Sequence, residues 1–185
     1  MQWINDKRSY GWLSIALHWA AALIIAAMFV TGFRADMAGD AGDREARGML
    51  MGWHISIGAS FALVLLARVI SSYAQPHPTP PEQAPPLKFL SSATHQLMLL
   101  AILIQIISGP LAVWSGGRAI NIFDVISLPS PFATANDGVH EFAELMHAIG
   151  RWGLLALISL HILGALKHVF MDENGEFRMI APKKS

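Results

Sequence analysis

The 185-residue chain contains no cysteine, and that absence closes several chemistries. It can form no disulfide, no thiolate nucleophile, no iron–sulfur cluster and no thioether link to a prosthetic group. Charge is scarce as well, with Asp, Glu, Lys and Arg making up 14% of residues. Thirteen basic and thirteen acidic residues cancel, so the bulk charge gives no reason to expect nucleic acid as a partner. Internal repeats are absent, and the one biased tract is proline-rich. What is abundant is apolar: 54% of residues are hydrophobic and the mean hydropathy is +0.44, a membrane profile.

Four apolar runs, at residues 14–33, 48–70, 89–114 and 148–170, each reach the about 20 helical residues that span a bilayer core. They predict an all-α, integral membrane four-helix bundle, a single transmembrane domain over 1–185 with helices over about 10–34, 47–72, 89–114 and 140–170. The first run carries His18 and is too long for a secretory h-region, so it reads as a retained helix, with the mature N-terminus at or near Met1. The tract QPHPTPPEQAPP at 75–86 reads as an extended connector that excludes helix. INIFDVISLP, at 120–129, reads as a short interfacial helix, and HEFAELMH as the start of the fourth helix.

Orientation follows from the basic residues beside the spans. Lys7, Arg8, Arg68, Lys88, Lys167, Arg178, Lys183 and Lys184 fall on one side, and Arg34, Arg44, Arg47 and Arg118 on the other, with Arg151 just inside the fourth helix. Both termini are therefore expected in the cytoplasm. Trp12, Trp19, Trp53, Trp114 and Trp152, at the run ends, read as interfacial anchors.

Histidines inside such runs need a reason, because a polar ring without a partner in hydrocarbon is costly. His147 and His161 are fourteen residues apart, which returns them to within about 40° of one helix face at levels roughly 21 Å apart. His18 lies about 8 Å below the midplane of its run and His54 about 8 Å above. Depth therefore pairs His54 with His147 and His18 with His161. His140 and His168 share the face of His147 and His161, but using either as a ligand stretches the spacing to roughly 31 Å, more than His18 and His54 allow. Two bis-imidazole planes in one bundle are what two b-type haems require. Gly52, Gly58, Ala59, Gly150 and Gly153 are small enough beside those rings to admit a porphyrin. His95 is the spare ligand or supporting residue, and His77 reads as a loop residue. Arg68 and Arg151 either snorkel to the headgroups or pair with haem propionates.

With HWAAAL in the first helix, GWHISIG in the second, THQLMLLAILIQIISGPL in the third, and H-x13-H followed by ALKH in the fourth, the chain resembles the prokaryotic cytochrome b561 family. The terminal RMIAPKKS and the INIFDVISLP segment add to the likeness. The resemblance implies a di-haem b cytochrome of the bacterial inner membrane with ligands at His18, His54, His147 and His161. It further implies, as the nearest type, a superoxide:quinone oxidoreductase that passes electrons from periplasmic superoxide to ubiquinone, with Lys167 and His168 on the quinone side. The expected partners are lipid, quinone, a small-molecule donor and a periplasmic or membrane redox protein. Acidic residues at Asp36, Asp40, Asp43, Asp124, Asp137, Glu141 and Glu144 oppose an anionic donor unless the arginines gather at the haem edge. Two alternatives stand beside this: a cytochrome b subunit relaying electrons between a partner dehydrogenase or hydrogenase and quinone, and a haem-free scaffold or metal or proton transporter.

Overall fold

The computed structural model describes residues 2–80 and 83–171; the basic tail containing Arg178, Lys183 and Lys184 lies outside them. Four helices, α1 (Trp12–Asp40), α2 (Arg44–Ala74), α3 (Pro85–Ser115) and α4 (Asp137–Met171), are each long and apolar enough to cross a membrane. Between α3 and α4 lies a two-stranded antiparallel hairpin, β1 (Ile120–Ile122) and β2 (Ile126–Leu128). Large apolar side chains such as Leu23, Leu63, Ile107 and Leu163 point outward, the surface that suits lipid.

The helices run past the apolar segments because polar caps, not hydropathy, end them. Beyond α1, Ala41 N–H donates to Met37 O and Asp43 N–H to Ala38 O, across Gly42 at φ 76°. The left-handed backbone there favours glycine. Asp43 then caps α2 by accepting from Ala46 N–H at 2.9 Å, and Asn136 caps α4 by accepting from Val139 N–H at 3.1 Å. The proline tract does not exclude helix to its end. Pro85 and Pro86 form the first turn of α3, where a missing N–H costs nothing because no intrahelical acceptor exists.

INIFDVISLP is a hairpin and not a helix. Val125 N–H donates to Ile122 O around Phe123 (φ 48°) and Asp124 (φ 56°), both left-handed. Such a conformation is strained for a bulky residue. The buried Ser56 of α2 holds it: Phe123 N–H donates to Ser56 Oγ at 2.9 Å, and Ser56 Oγ donates to Asn121 O at 3.3 Å. The Phe123 ring rests edge-on against Trp53, 5.5 Å between centres.

At the opposite end, residues 2–11 form a strap under the bundle. The first N–H groups of a helix lack intrahelical acceptors. Here Trp12 N–H donates to Gln2 O, Leu13 N–H to Trp3 O, and Gly11 N–H to the Asn5 side chain. Asn5 N–H donates to Gln75 Oε1 and Thr79 N–H to Lys7 O, joining the strap to the end of α2 and the following loop.

Helices α1 and α2 pack as one antiparallel pair and α3 and α4 as another. Gly39, Gly32 and Met28 of α1 meet Arg47, His54 and Gly58 of α2 in a single register. Gly116, which caps α3, and Gly109 and His95 within it meet His140, His147 and His161 of α4 in the same manner. Among the described residues, no Cα of α4 comes within 8 Å of α1 or α2, so the two pairs join through α2 and α3 and leave a gap on the α4 side. Midway along, Ala21, Ile24, Leu65, Val69, Leu99, Ala101, Ile102 and Leu154 form the buried core.

Candidate cofactor site

Four histidines reach into that gap as two pairs. His54 of α2 and His147 of α4 have ring centres 6.2 Å apart at the hairpin end, and His18 of α1 and His161 of α4 are also 6.2 Å apart at the end carrying the termini. The fourteen-residue step along α4 separates the levels by roughly 21 Å, and the apolar core lies between them. An iron between two imidazoles, at about 2 Å per bond, sets the ring centres roughly 6 Å apart. Among the described residues no three His, Asp or Glu side chains converge on a common metal position.

At the hairpin end the rings are held in one tautomer. A carbonyl can only accept, so His54 Nδ1–H donates to Met28 O at 3.0 Å, with Thr31 Oγ1 beside it at 3.2 Å. Ser108 Oγ gives its hydrogen to Ile104 O at 2.6 Å, so it accepts from His147 Nδ1–H at 3.0 Å. In each neutral ring Nε2 keeps its lone pair, the state a metal requires. Glycines seat both rings. A Cβ on Gly32 would meet His54 Cε1 at 3.3 Å, and one on Gly109 would meet His147 Cε1 at 3.4 Å.

Both rings line a cavity of about 1460 Å³. That exceeds the roughly 300–1,000 Å³ typical of small-ligand sites, so a planar macrocycle has room. Two buried polar atoms at its wall, Gln105 Oε1 and Arg151 Nε, have no hydrogen-bond partner among the described residues. Arg44, Arg47, Arg118 and Arg151 all line this one cavity, against the acids Asp36, Asp124 and Glu144. Arg151 pairs with Asp36 at 2.7 Å and lies over the Phe33 and Trp152 rings. The donor chemistry, the spacing and the cationic wall all suit a haem with its propionates.

A model of the prokaryotic cytochrome b561 family matches residues 9–182. The chain belongs to that family. It is also 29% identical to cytochrome b561 homolog 2 of Escherichia coli (strain K12), over all of this chain and 97% of the relative. As a prokaryotic cytochrome b561, the chain is a multi-pass bacterial membrane protein of electron transfer, and membership implies that it binds haem b.

His95 lies 5.1 Å from His161, nearer than the two paired rings lie to each other, and on the helix adjacent to α4. Arg68 lies in the neighbourhood of His18, His95 and His161 and of Tyr10. His168, beside Lys167 near the end of α4, accepts from the Gln83 side chain at 3.3 Å. His140 Nδ1–H donates to Ala112 O at 2.8 Å while Nε2 faces Glu144 at 3.3 Å. His77 is an exposed loop residue. Gly52, Gly58 and Ala59 line the cavity, but Gly150 packs on Gln105 and Ile104, and Gly153 meets nothing within 4 Å. Sequence reasoning missed Thr31, Gly32, Ser108 and Gly109. Their roles come from helix register, and the one local hint is the Ser-Gly-Pro interruption of an apolar run at 108–110.

Proposed function

We propose that this cytochrome b561 carries electrons across the bacterial inner membrane through two haem b groups in a single domain, one between His54 and His147 and one between His18 and His161. The observation that carries the reading is the equal 6.2 Å separation of the two ring pairs, one at each end of the gap. Haem, when bound, supplies one-electron carriage. The chain's own residues do the rest. They present Nε2 lone pairs, exclude water with an apolar core, and neutralise propionates with Arg151 at one level and Arg68 at the other.

The termini end faces the cytoplasm in this reading, because Lys7, Arg8, Lys88 and Lys167 lie there. The donor we infer is superoxide, taken up on the periplasmic face. Arg44, Arg47, Arg118 and Arg151 line one cavity with His54 and His147 against Asp36, Asp124 and Glu144, so the four arginines exceed the three acids by one charge there, whereas the face as a whole is acidic. Asp36 opposes an anionic donor least, since Arg151 already pairs with it. Two superoxide anions each give up one electron and leave as dioxygen. Ubiquinone takes both electrons with two protons at the cytoplasmic end and leaves as ubiquinol, with Lys167 and His168 as the polar groups at hand.

Purified, haem-loaded protein given ubiquinone and a steady source of superoxide tests this. The expected result is ubiquinol formation that superoxide dismutase abolishes. Protein that stays inert until a dehydrogenase or hydrogenase partner is added would overturn the superoxide reading in favour of a relay subunit.

A further inference from the structure

The two ring pairs match in spacing but not in how their second nitrogens are held. At the hairpin end both rings have a partner at Nδ1: Met28 O for His54 and Ser108 Oγ for His147. Ser108 cannot turn its own hydrogen towards the ring without giving up Ile104 O at 2.6 Å, so the proton between them sits on His147 Nδ1. At the termini end, among the described residues, the rings of His18 and His161 make ring contacts but no hydrogen bond. An imidazole that donates its Nδ1–H pushes more electron density through Nε2, which favours the oxidised metal over the reduced one.

Resting on the reading of these four histidines as axial ligands, we propose that Ser108 is a positioning residue. Through His147 it makes the hairpin-end haem harder to reduce than the termini-end haem. The electron path then runs downhill from the cavity end towards the termini. Haems held by His54 and His147 at one end and by His18 and His161 at the other would supply the one-electron carriage, with no proton exchanged between the two levels. Met28 acts in the same sense through His54, but with a backbone carbonyl that no substitution removes. Ser108 is therefore where the asymmetry can be tested.

The test is a redox titration of the purified, haem-loaded full chain, followed in its b-type absorption bands, on wild type, Ser108→Ala, Ser108→Thr and Thr94→Val. Thr94 is a matched control: a buried hydroxyl on the same helix, bonded back to Leu90 O at 2.8 Å, with no ring as partner. Ser108→Ala is expected to make the lower-potential component easier to reduce, by a factor of roughly two to ten in its reduction equilibrium, because only the difference in the hydrogen bond between the two oxidation states counts. The higher-potential component stays in place, Ser108→Thr behaves as wild type, and Thr94→Val moves neither. Unmoved potentials in Ser108→Ala, movement of the higher-potential component, or equal movement in Thr94→Val would overturn the role given to Ser108. Haem content measured on the same samples separates the two levels of inference. Two haems with unmoved potentials remove the Ser108 role alone, whereas fewer than two haems in the wild type remove the ligand reading and this proposal with it.

Discussion

The two ends of the bundle solve one problem in different ways. At the hairpin end, His54 and His147 rest on glycines, are fixed through Nδ1, and open on a cavity walled by arginines. At the termini end, His18 and His161 have rings for neighbours, with His95 5.1 Å from His161, Arg68 in the neighbourhood of all three, and a hydrogen-bonded strap beneath. The first end fixes its rings by direct hydrogen bonds. The second crowds them with other rings. Equal ring spacing thus does not make the two sites chemically equal.

The largest expected effect separates the ends outright. His54→Ala and His147→Ala should each abolish one b-type spectral component, and His18→Ala and His161→Ala should each abolish the other, with pyridine haemochrome falling from two haems to one. His95→Ala should keep both. Loss of a haem from His95→Ala with retention in His18→Ala would redraw the termini-end pair, since His95 is the ring nearer to His161.

A smaller effect concerns the cavity end. Arg151 and Asp36, with side chains 30% and 46% exposed, join α4 to α1 across the gap where no backbone approaches. A double-mutant cycle with Arg151→Gln and Asp36→Asn should give a coupling of about 0.5–1 kcal/mol in thermal unfolding, the range of a part-exposed ion pair. Additive single effects would mean that the pair does not hold the helices together.

The smallest lies at the termini end. Ser9 N–H, first, and Arg8 N–H donate to Asp6 Oδ1, each at 2.7 Å, and hold its carboxyl below the ordinary value of 3.8. A lowered carboxyl favours the folded strap fully above that value, and the contribution disappears as the pH falls through the folded pKa. Asp6→Asn should therefore flatten the acid loss of strap protection, read as amide exchange at Gly11, Trp12 and Leu13, and leave the haem bands untouched. An identical acid profile in both proteins would sink the assignment.

The spans and the ring pairs were legible because they depend on run length, helix pitch and depth, all properties of one segment at a time. The pairing of His54 with His147 needed only that the helices alternate in direction. The hairpin was not legible. Its turn is made by Phe123 and Asp124 in left-handed conformations, without the Gly or Asn that announces such a turn, and what holds it is Ser56, on another helix. Neither Ser108 nor Gly32 could be singled out, because each matters only through the residue that packing sets opposite it. Asp40, Asp43, Asp137 and Glu141 count in a sum of charges but do not line the cavity, whereas four arginines and three acids, Asp36, Asp124 and Glu144, do.

The layer of Ile24, Leu65, Leu99, Ile102 and Leu154 between the two ring levels contains no group able to hand on a proton. An electron can tunnel through such a layer, but an ion cannot follow it. If electrons cross between the two levels as proposed, each leaves its compensating charge on the side it came from, and turnover in a sealed membrane would charge that membrane like a capacitor. On that proposal the same aliphatic side chains that pack the bundle would make its redox reaction one that the membrane voltage can hold back or drive.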